Sequence, residues 1–306
     1  MDQDFPNEWF FDVESDHKLT MHRVKNHVFA GATDHQGVKI IETYDLGKIL
    51  ILDNQLQSAA ADEYIYHECL VHPAMILADR LRKVLILGGG EGATLREVVK
   101  YPAVEEITML DIDQKLIEIC GQHLPEWHGG AYDDPRVTLI FADALDFVRN
   151  AAARFDLVLM DINDPVPRGP AALIYTREFF QSVKGILTAH GIFATQATAI
   201  FYHQSDLHSV IHQTLAAVFN RVESYGDFIP SFEAMWGFLL GSDRLQASKL
   251  SSQEIDGRIK SRLSSPLKYY DGNTHQRLFS LPKMVRETIM KQTRISTLNN
   301  PLSVVI

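Results

Sequence analysis

The chain has 306 residues, 46% of them hydrophobic and 22% charged, enough to bury a full core in one large domain with a smaller companion. A formal charge of −10, from 39 acidic against 29 basic residues with no run of Lys or Arg, argues against a nucleic-acid partner and favours a cationic substrate. The two cysteines, Cys69 and Cys120, lie in apolar helical patterns and are expected to be reduced, buried thiols.

The N-terminal MDQDFPNEWFFD is acidic and has no basic start before an apolar run, so no signal peptide is expected. Up to about Ala60 the pattern reads as strands. Val38 to Tyr44 and Lys48 to Asp53 are rich in β-branched residues and flank Asp45-Leu46-Gly47, which predicts a hairpin. From Asp62 to Ala78 the pattern turns helical. A strand–loop–helix rhythm follows. Lys83 to Leu87 precedes Gly88-Gly89-Gly90-Glu91-Gly92 and the helical ATLREVVK. Glu106 to Leu110 ends in Asp111, with a helix from Gln114 to His123. Val137 to Ala142 ends in Asp143, with a helix to about Ala152, and Phe155 to Met160 ends in Asp161. Gly191 to Gln196, Arg221 to Ile229 and Met235 to Gly241 are further strands, the last two an antiparallel edge. The uncharged run from Gly185 to Ser205 contains His190, Gln196, His203, Gln204 and two glycines, so it is not expected to cross a bilayer. A soluble, cytoplasmic protein without a membrane partner is predicted.

Continuous apolar strands alternating with helices predict an α/β fold, a Rossmann-like doubly wound and largely parallel sheet covered on both faces. It would occupy residues 61–306, helical beyond about residue 245, after a small N-terminal β domain over residues 1–60. Ligands of such sheets sit beyond the carboxyl ends of the strands, where four strands here end in Gly or Asp. The Gly88–Gly92 loop lets backbone approach a ligand at a helix N-terminus, and the absence of a following Lys-Ser/Thr excludes a Walker loop. Asp111 suits ribose hydroxyls and Asp143 an adenine amino group, although each acid could equally cap the next helix. Glu91, inside the glycine loop, would attract an ammonium and repel a carboxylate, favouring a decarboxylated donor over S-adenosylmethionine. Asp161 and Asp164, three apart, suit a polycation: one takes a proton while the other holds a second ammonium.

Six ordered segments carry a resemblance. They are ILDNQLQSAAADEYIYHECLVHPA (51–74), GGGEGATLREVVK (88–100), DIDQKLIEIC (111–120), DDPRVTLIFADALDF (133–147), DINDPVPRGPAALIYTREFF (161–180) and IPSFEAMWGFLLGSD (229–243). Together with LKYYDGNTHQRLFSLPKMV they resemble the polyamine aminopropyltransferases over roughly residues 30 to 290. The resemblance implies a Rossmann-like fold of the class I methyltransferase type and transfer of an aminopropyl group from decarboxylated S-adenosylmethionine, with 5′-methylthioadenosine as product. No prosthetic group or metal is implied, and a homodimer or homotetramer is. On the donor side it implies Gln36, His67, Gly88, Gly90, Glu91, Asp111, Asp143, Ala144 and Pro170; on the acceptor side Tyr66, Asp164 and Gln196; and Asp161 as proton acceptor. Phe232 stands where putrescine-using members have tyrosine, and two extra residues follow Asp164-Pro165. With Trp236 as a candidate channel wall, these features look more like triamine/agmatine aminopropyltransferases and thermospermine synthases, so spermidine, agmatine or another triamine is favoured over putrescine. A putrescine-using spermidine synthase, a small-molecule methyltransferase and a non-catalytic polyamine-binding module stay open as alternatives. His208 and His212 are expected at a surface or interface, His123 and His128 in a loop, and Phe179, Phe180, Phe228 and Trp236 in the core.

Overall fold

A computed structural model describes residues 8–15, 17–165, 171–200 and 205–302. Five strands open the chain: β1 (Trp9–Ser15), β2 (Lys18–Ala32), β3 (Gly37–Thr43), β4 (Gly47–Leu52) and β5 (Gln55–Ala59). Each pairs antiparallel with the next, so the sheet order is the chain order. The predicted hairpin is β3–β4. The β4–β5 turn is made by Asp53 and Asn54, both at positive φ (49° and 66°), which these short polar side chains tolerate. Alternation along β3 and β4 puts Val38, Ile40, Leu50 and Leu52 on one face and Ile41, Ile49 and Ile51 on the other, and both faces are buried. On β1 and β2, by contrast, Trp9, Phe11, Val13, Leu19 and Met21 are exposed, with Phe11 opposite Met21 and Val13 opposite Leu19.

Helix α1 (Glu63–Leu77) is apolar nearly all round and runs through the core. It contains Pro73, which cannot donate to the carbonyl of Cys69; the Tyr225 hydroxyl donates to that oxygen instead, at 3.1 Å. The alternating units follow: β6 (Lys83–Gly88), α2 (Ala93–Val99), β7 (Glu106–Asp111), α3 (Gln114–His123), α4 (Pro125–His128), β8 (Val137–Phe141), α5 (Ala144–Asn150) and β9 (Phe155–Asp161). Then come α6 (Ala171–Ile174), α7 (Arg177–Gly185), β10 (Leu187–Ala199), α8 (Ser205–Ala216), β11 (Arg221–Ile229) and β12 (Ala234–Ser242), and the tail helices α9 (Ser252–Arg262), α10 (Gly272–Leu278) and α11 (Lys283–Lys291). The seven-stranded sheet has the order β11-β12-β10-β9-β6-β7-β8, parallel from β10 to β8 and antiparallel at β12 and β11. Strand order reverses between β6 and β9, which opens a crevice at their carboxyl ends. Among the described residues no helix is long and apolar enough to cross a membrane.

The uncharged run is mostly strand: β10, over Leu187–Ala199, contains the predicted Gly191–Gln196 and extends beyond it at both ends. Three expectations are corrected. His208 is fully buried rather than at a surface, because Ala197 O and Ser224 Oγ replace water at its two ring nitrogens. His123 and His128 end short helices flanking a buried Trp127, whose Nε1 donates to Ser58 Oγ at 2.7 Å and ties α4 to the N-terminal sheet. Phe179 and Phe180 are buried, but Phe228 on edge strand β11 is 49% exposed and Trp236 only partly buried.

Candidate active site

Gly88 and Asp161 close β6 and β9 as directly paired residues at the reversal point. Gly88 sits at φ +82°, and a Cβ there would lie 2.2 Å from the Asp161 carbonyl oxygen, so only glycine allows this approach. The next residue, Gly89, donates its N–H to the same oxygen at 2.9 Å. Gly90 passes close enough to Asp111 that a Cβ would stand 3.0 Å from its Oδ2. The loop thus brings Glu91, Asp111 and Asp161 to one edge.

Glu91 Oε1 lies 3.0 Å from His67 Nε2, while His67 Nδ1 donates to the Glu63 carbonyl at 2.6 Å and lies 3.1 Å from its Oε2. Burial alone would depress this imidazole's pKa, but the hydrogen bonds and charges of Glu63 and Glu91 outweigh it and push it up to about 10. His67 is therefore an imidazolium at neutral pH. Arg96 forks onto Glu63 at 3.0 and 2.8 Å, so charges alternate behind the loop: Glu91, His67, Glu63, Arg96. Ligand atoms of His67, Glu91 and Asp161 lie within 4.8 Å of one another. An imidazolium offers N–H donors rather than a lone pair, so His67 is no metal ligand here; the attraction for a cation comes from the Glu91 and Asp161 carboxylates alone.

Asp161 is partly buried. Its Oδ1 accepts from the Tyr66 hydroxyl at 2.8 Å and its Oδ2 from the Thr94 hydroxyl at 2.6 Å. Burial and the charge of Glu91 raise its pKa, opposed by His67 and by the two hydroxyl donors. A carboxylate has about four lone-pair sites, so two remain for an incoming amine. Asp164 is raised to about 6 by burial, offset in part by the Gln196 amide, which donates from Nε2 at 3.0 Å. Gln196 Nε2 also reaches Ile162 O and the Tyr175 hydroxyl. Tyr66 packs edge-on against Phe232 with ring centroids 6.1 Å apart, and Phe232 against Trp236 at 4.8 Å. Phe232 also rests on the β3–β4 core, so the N-terminal sheet backs this wall.

On the other side, burial raises Asp111 to about 6, with the charges of Asp113 and Glu91 adding to the effect. Gln36 donates to Asp113 Oδ2 at 3.0 Å, which brings the N-terminal sheet to the same edge two residues past Asp111. Asp143 accepts from Asp146 N and caps α5, and Ala144 is the first residue of that helix. Pro170 lies outside the described residues. Sequence reasoning missed Thr94, Tyr175, Asp113 and the Glu63–Arg96 pair. A hydroxyl two residues past the glycine loop was the available signal for Thr94.

Fold and site together define a doubly wound enzyme domain for a nucleoside that carries positive charge, with a second acidic compartment beside it. The family model described as Spermine/spermidine synthase domain matches residues 63–251, and the one described as Spermidine synthase tetramerisation domain matches residues 8–59. The chain is 41% identical over 298 residues to the polyamine aminopropyltransferase of Aeropyrum pernix, covering 95% of this chain and 94% of the relative. It is 39% identical over 295 residues to that of Sulfolobus acidocaldarius, covering 96% and 97%. A spermidine synthase solved in complex with the transition state analogue AdoDATO superposes with a TM-score of 0.85 at 28% identity, covering 94% of this chain and 96% of that one. The protein belongs to the spermine/spermidine synthase family.

Proposed function

We propose that the protein moves the aminopropyl group of decarboxylated S-adenosylmethionine onto a polyamine, with a triamine or agmatine preferred over putrescine. The observation that carries this reading is the ring of Glu91, Asp111, Asp161 and Asp164 at one sheet edge, three of them with raised pKa values. Glu91 holds the donor ammonium beside His67. Asp111 and Gln36 take the ribose side, and Asp143, Ala144 and Pro170 the adenine side. Asp164, with Gln196, holds a cation of the acceptor between Tyr66, Phe232 and Trp236.

In the reaction Asp161 removes one proton from the acceptor's terminal ammonium. The freed lone pair attacks the methylene carbon beside the sulfonium, a C–N bond forms, and the C–S electrons return to sulfur as 5′-methylthioadenosine leaves. The protein supplies alignment, a base and carboxylate attraction. Phe232 lacks the hydroxyl that would meet a short diamine, which supports a longer or differently charged acceptor. The exposed apolar face of β1 and β2, in the segment matched by the tetramerisation domain, supports assembly as a homodimer or homotetramer through that hairpin.

The test is incubation with decarboxylated donor and a panel of putrescine, agmatine, spermidine and norspermidine, with products identified by mass and chromatography. A gain of C3H7N, largest with a triamine or agmatine, is expected. A gain of CH2 with intact S-adenosylmethionine would replace aminopropyl by methyl transfer, and putrescine as best acceptor would overturn the preference.

A further inference from the structure

The second half of β10 does not follow its ladder. Its register with β12 slips between Gln196 and Ala199, and Thr198 stands at φ +59°, a left-handed conformation unfavourable for a β-branched residue. The peptide unit joining Ala197 to Thr198 is gripped from both ends. Its N–H donates to Gln196 Oε1 at 3.0 Å, and its carbonyl accepts from His208 Nδ1 at 2.9 Å.

The second contact fixes protons on three side chains. A carbonyl only accepts, so His208 carries its hydrogen on Nδ1. Burial lowers both His208 and His212 to about 4, so both rings are neutral at physiological pH. His208 Nε2 is then bare and accepts from the Ser224 hydroxyl at 2.9 Å, and Ser224 Oγ accepts from His212 Nδ1 at 2.8 Å. The His208 ring packs against β12, where a Cβ at Gly237 would stand 2.5 Å from its Nδ1.

We propose that His208, oriented by Ser224 and His212, is a positioning residue for acceptor recognition: by holding the Ala197–Thr198 peptide plane it keeps, together with the Ile162 carbonyl, the NH2 end of the Gln196 amide on Asp164. With the plane as observed, Oε1 takes the Thr198 N–H while Nε2 faces Ile162 O and Asp164, so the two ends of the amide are satisfied together. Were the plane to flip, its carbonyl would draw the amide nitrogen and turn Oε1 toward the carboxylate, a contact between two acceptors. The inference rests on the reading of Asp164 and Gln196 as acceptor-holding groups.

The experiment compares His208→Leu, Thr198→Gly, the double variant and Gln196→Ala for acceptor KM at saturating donor and for methylthioadenosine binding by calorimetry. His208→Leu should raise acceptor KM about tenfold, the loss of one charge-assisted hydrogen bond, and leave methylthioadenosine affinity within about twofold. Glycine holds a left-handed position without support, so Thr198→Gly should recover much of that loss in the double variant. A cavity left by a merely structural histidine would not be relieved there. An unrelieved defect, or a parallel fall in methylthioadenosine affinity, overturns the proposal. If Gln196→Ala leaves acceptor KM unchanged, the acceptor-site reading fails; if it raises KM while His208→Leu does not, only the role of His208 fails. Should His208→Leu not fold, the imidazole ¹⁵N spectrum of the unaltered protein decides: hydrogen on His208 Nδ1 supports the proposal, and hydrogen on Nε2 overturns it.

Discussion

Replacing Asp161 by Asn tests the base and its surroundings together. The carboxylate accepts one hydroxyl on each oxygen, from Tyr66 at 2.8 Å and Thr94 at 2.6 Å. An amide keeps one acceptor and reverses the other contact, its NH2 donating to a hydroxyl oxygen whose own hydrogen must find a new acceptor, at about 1 kcal/mol of orientation. The lost proton acceptor is the larger effect, at 10²- to 10⁴-fold in general-base catalysis, so kcat should fall by roughly 10³, about 4 kcal/mol of barrier. Methylthioadenosine binding should stay within a few-fold, since the nucleoside contacts proposed above fall to Asp111 and Gln36. Stability should move the other way. The pKa of Asp161 is raised in the folded state, so its ionised form weakens the fold at pH values above that pKa and costs nothing below its unfolded value. The Asn variant should therefore melt higher at neutral pH, with the gain vanishing in acid. Single-turnover kinetics, calorimetry and thermal melts at two pH values read all three quantities. Near-normal kcat, or a melting temperature that drops at neutral pH, would refute the reasoning.

Other outcomes follow from the same geometry. Asp111 and Asp164 are both raised to about 6; in the proposed roles each is needed ionised, so kcat/KM for the acceptor should fall as pH drops through that value, and Asp164→Asn should lower the plateau and remove its share of that limb. Glu91→Gln should shrink the preference for decarboxylated over intact S-adenosylmethionine by about tenfold or more in competitive binding, and an unchanged ratio would remove Glu91 from that role. Tyr225→Phe should leave the Cys69 carbonyl beside Pro73 without a donor and cost about 1–3 kcal/mol in chemical denaturation with turnover unaffected. An unchanged midpoint would show that the carbonyl finds another partner.

The four strands that end at a Gly or Asp were legible because each is a short apolar run, a local pattern in one segment. The helix Gln114–His123 and the strand Arg221–Ile229 match residue for residue. What the sequence withheld was pairing across distance. Tyr66 and Asp161 are 95 residues apart and Thr94 and Asp161 67 apart, and no local period encodes such contacts. His208 looked like a surface histidine because its partners, Ala197 O and Ser224 Oγ, lie on other strands. Phe228 looked like core because alternation marks which residues share a face, not whether the strand lies at a sheet edge. There Tyr225, Asp227 and Ile229 are buried while Phe228 meets solvent.

Because Gly88 and Asp161 face each other as paired ends of two hydrogen-bonded strands, the proposed cradle of one substrate and the proposed proton sink for the other are spaced by a backbone ladder. Loops and side chains farther out, such as Phe232 and Trp236, are then free to vary with the guest while the reacting centre keeps its dimensions. Divergence within such an architecture alters what is accepted and leaves how it is joined untouched.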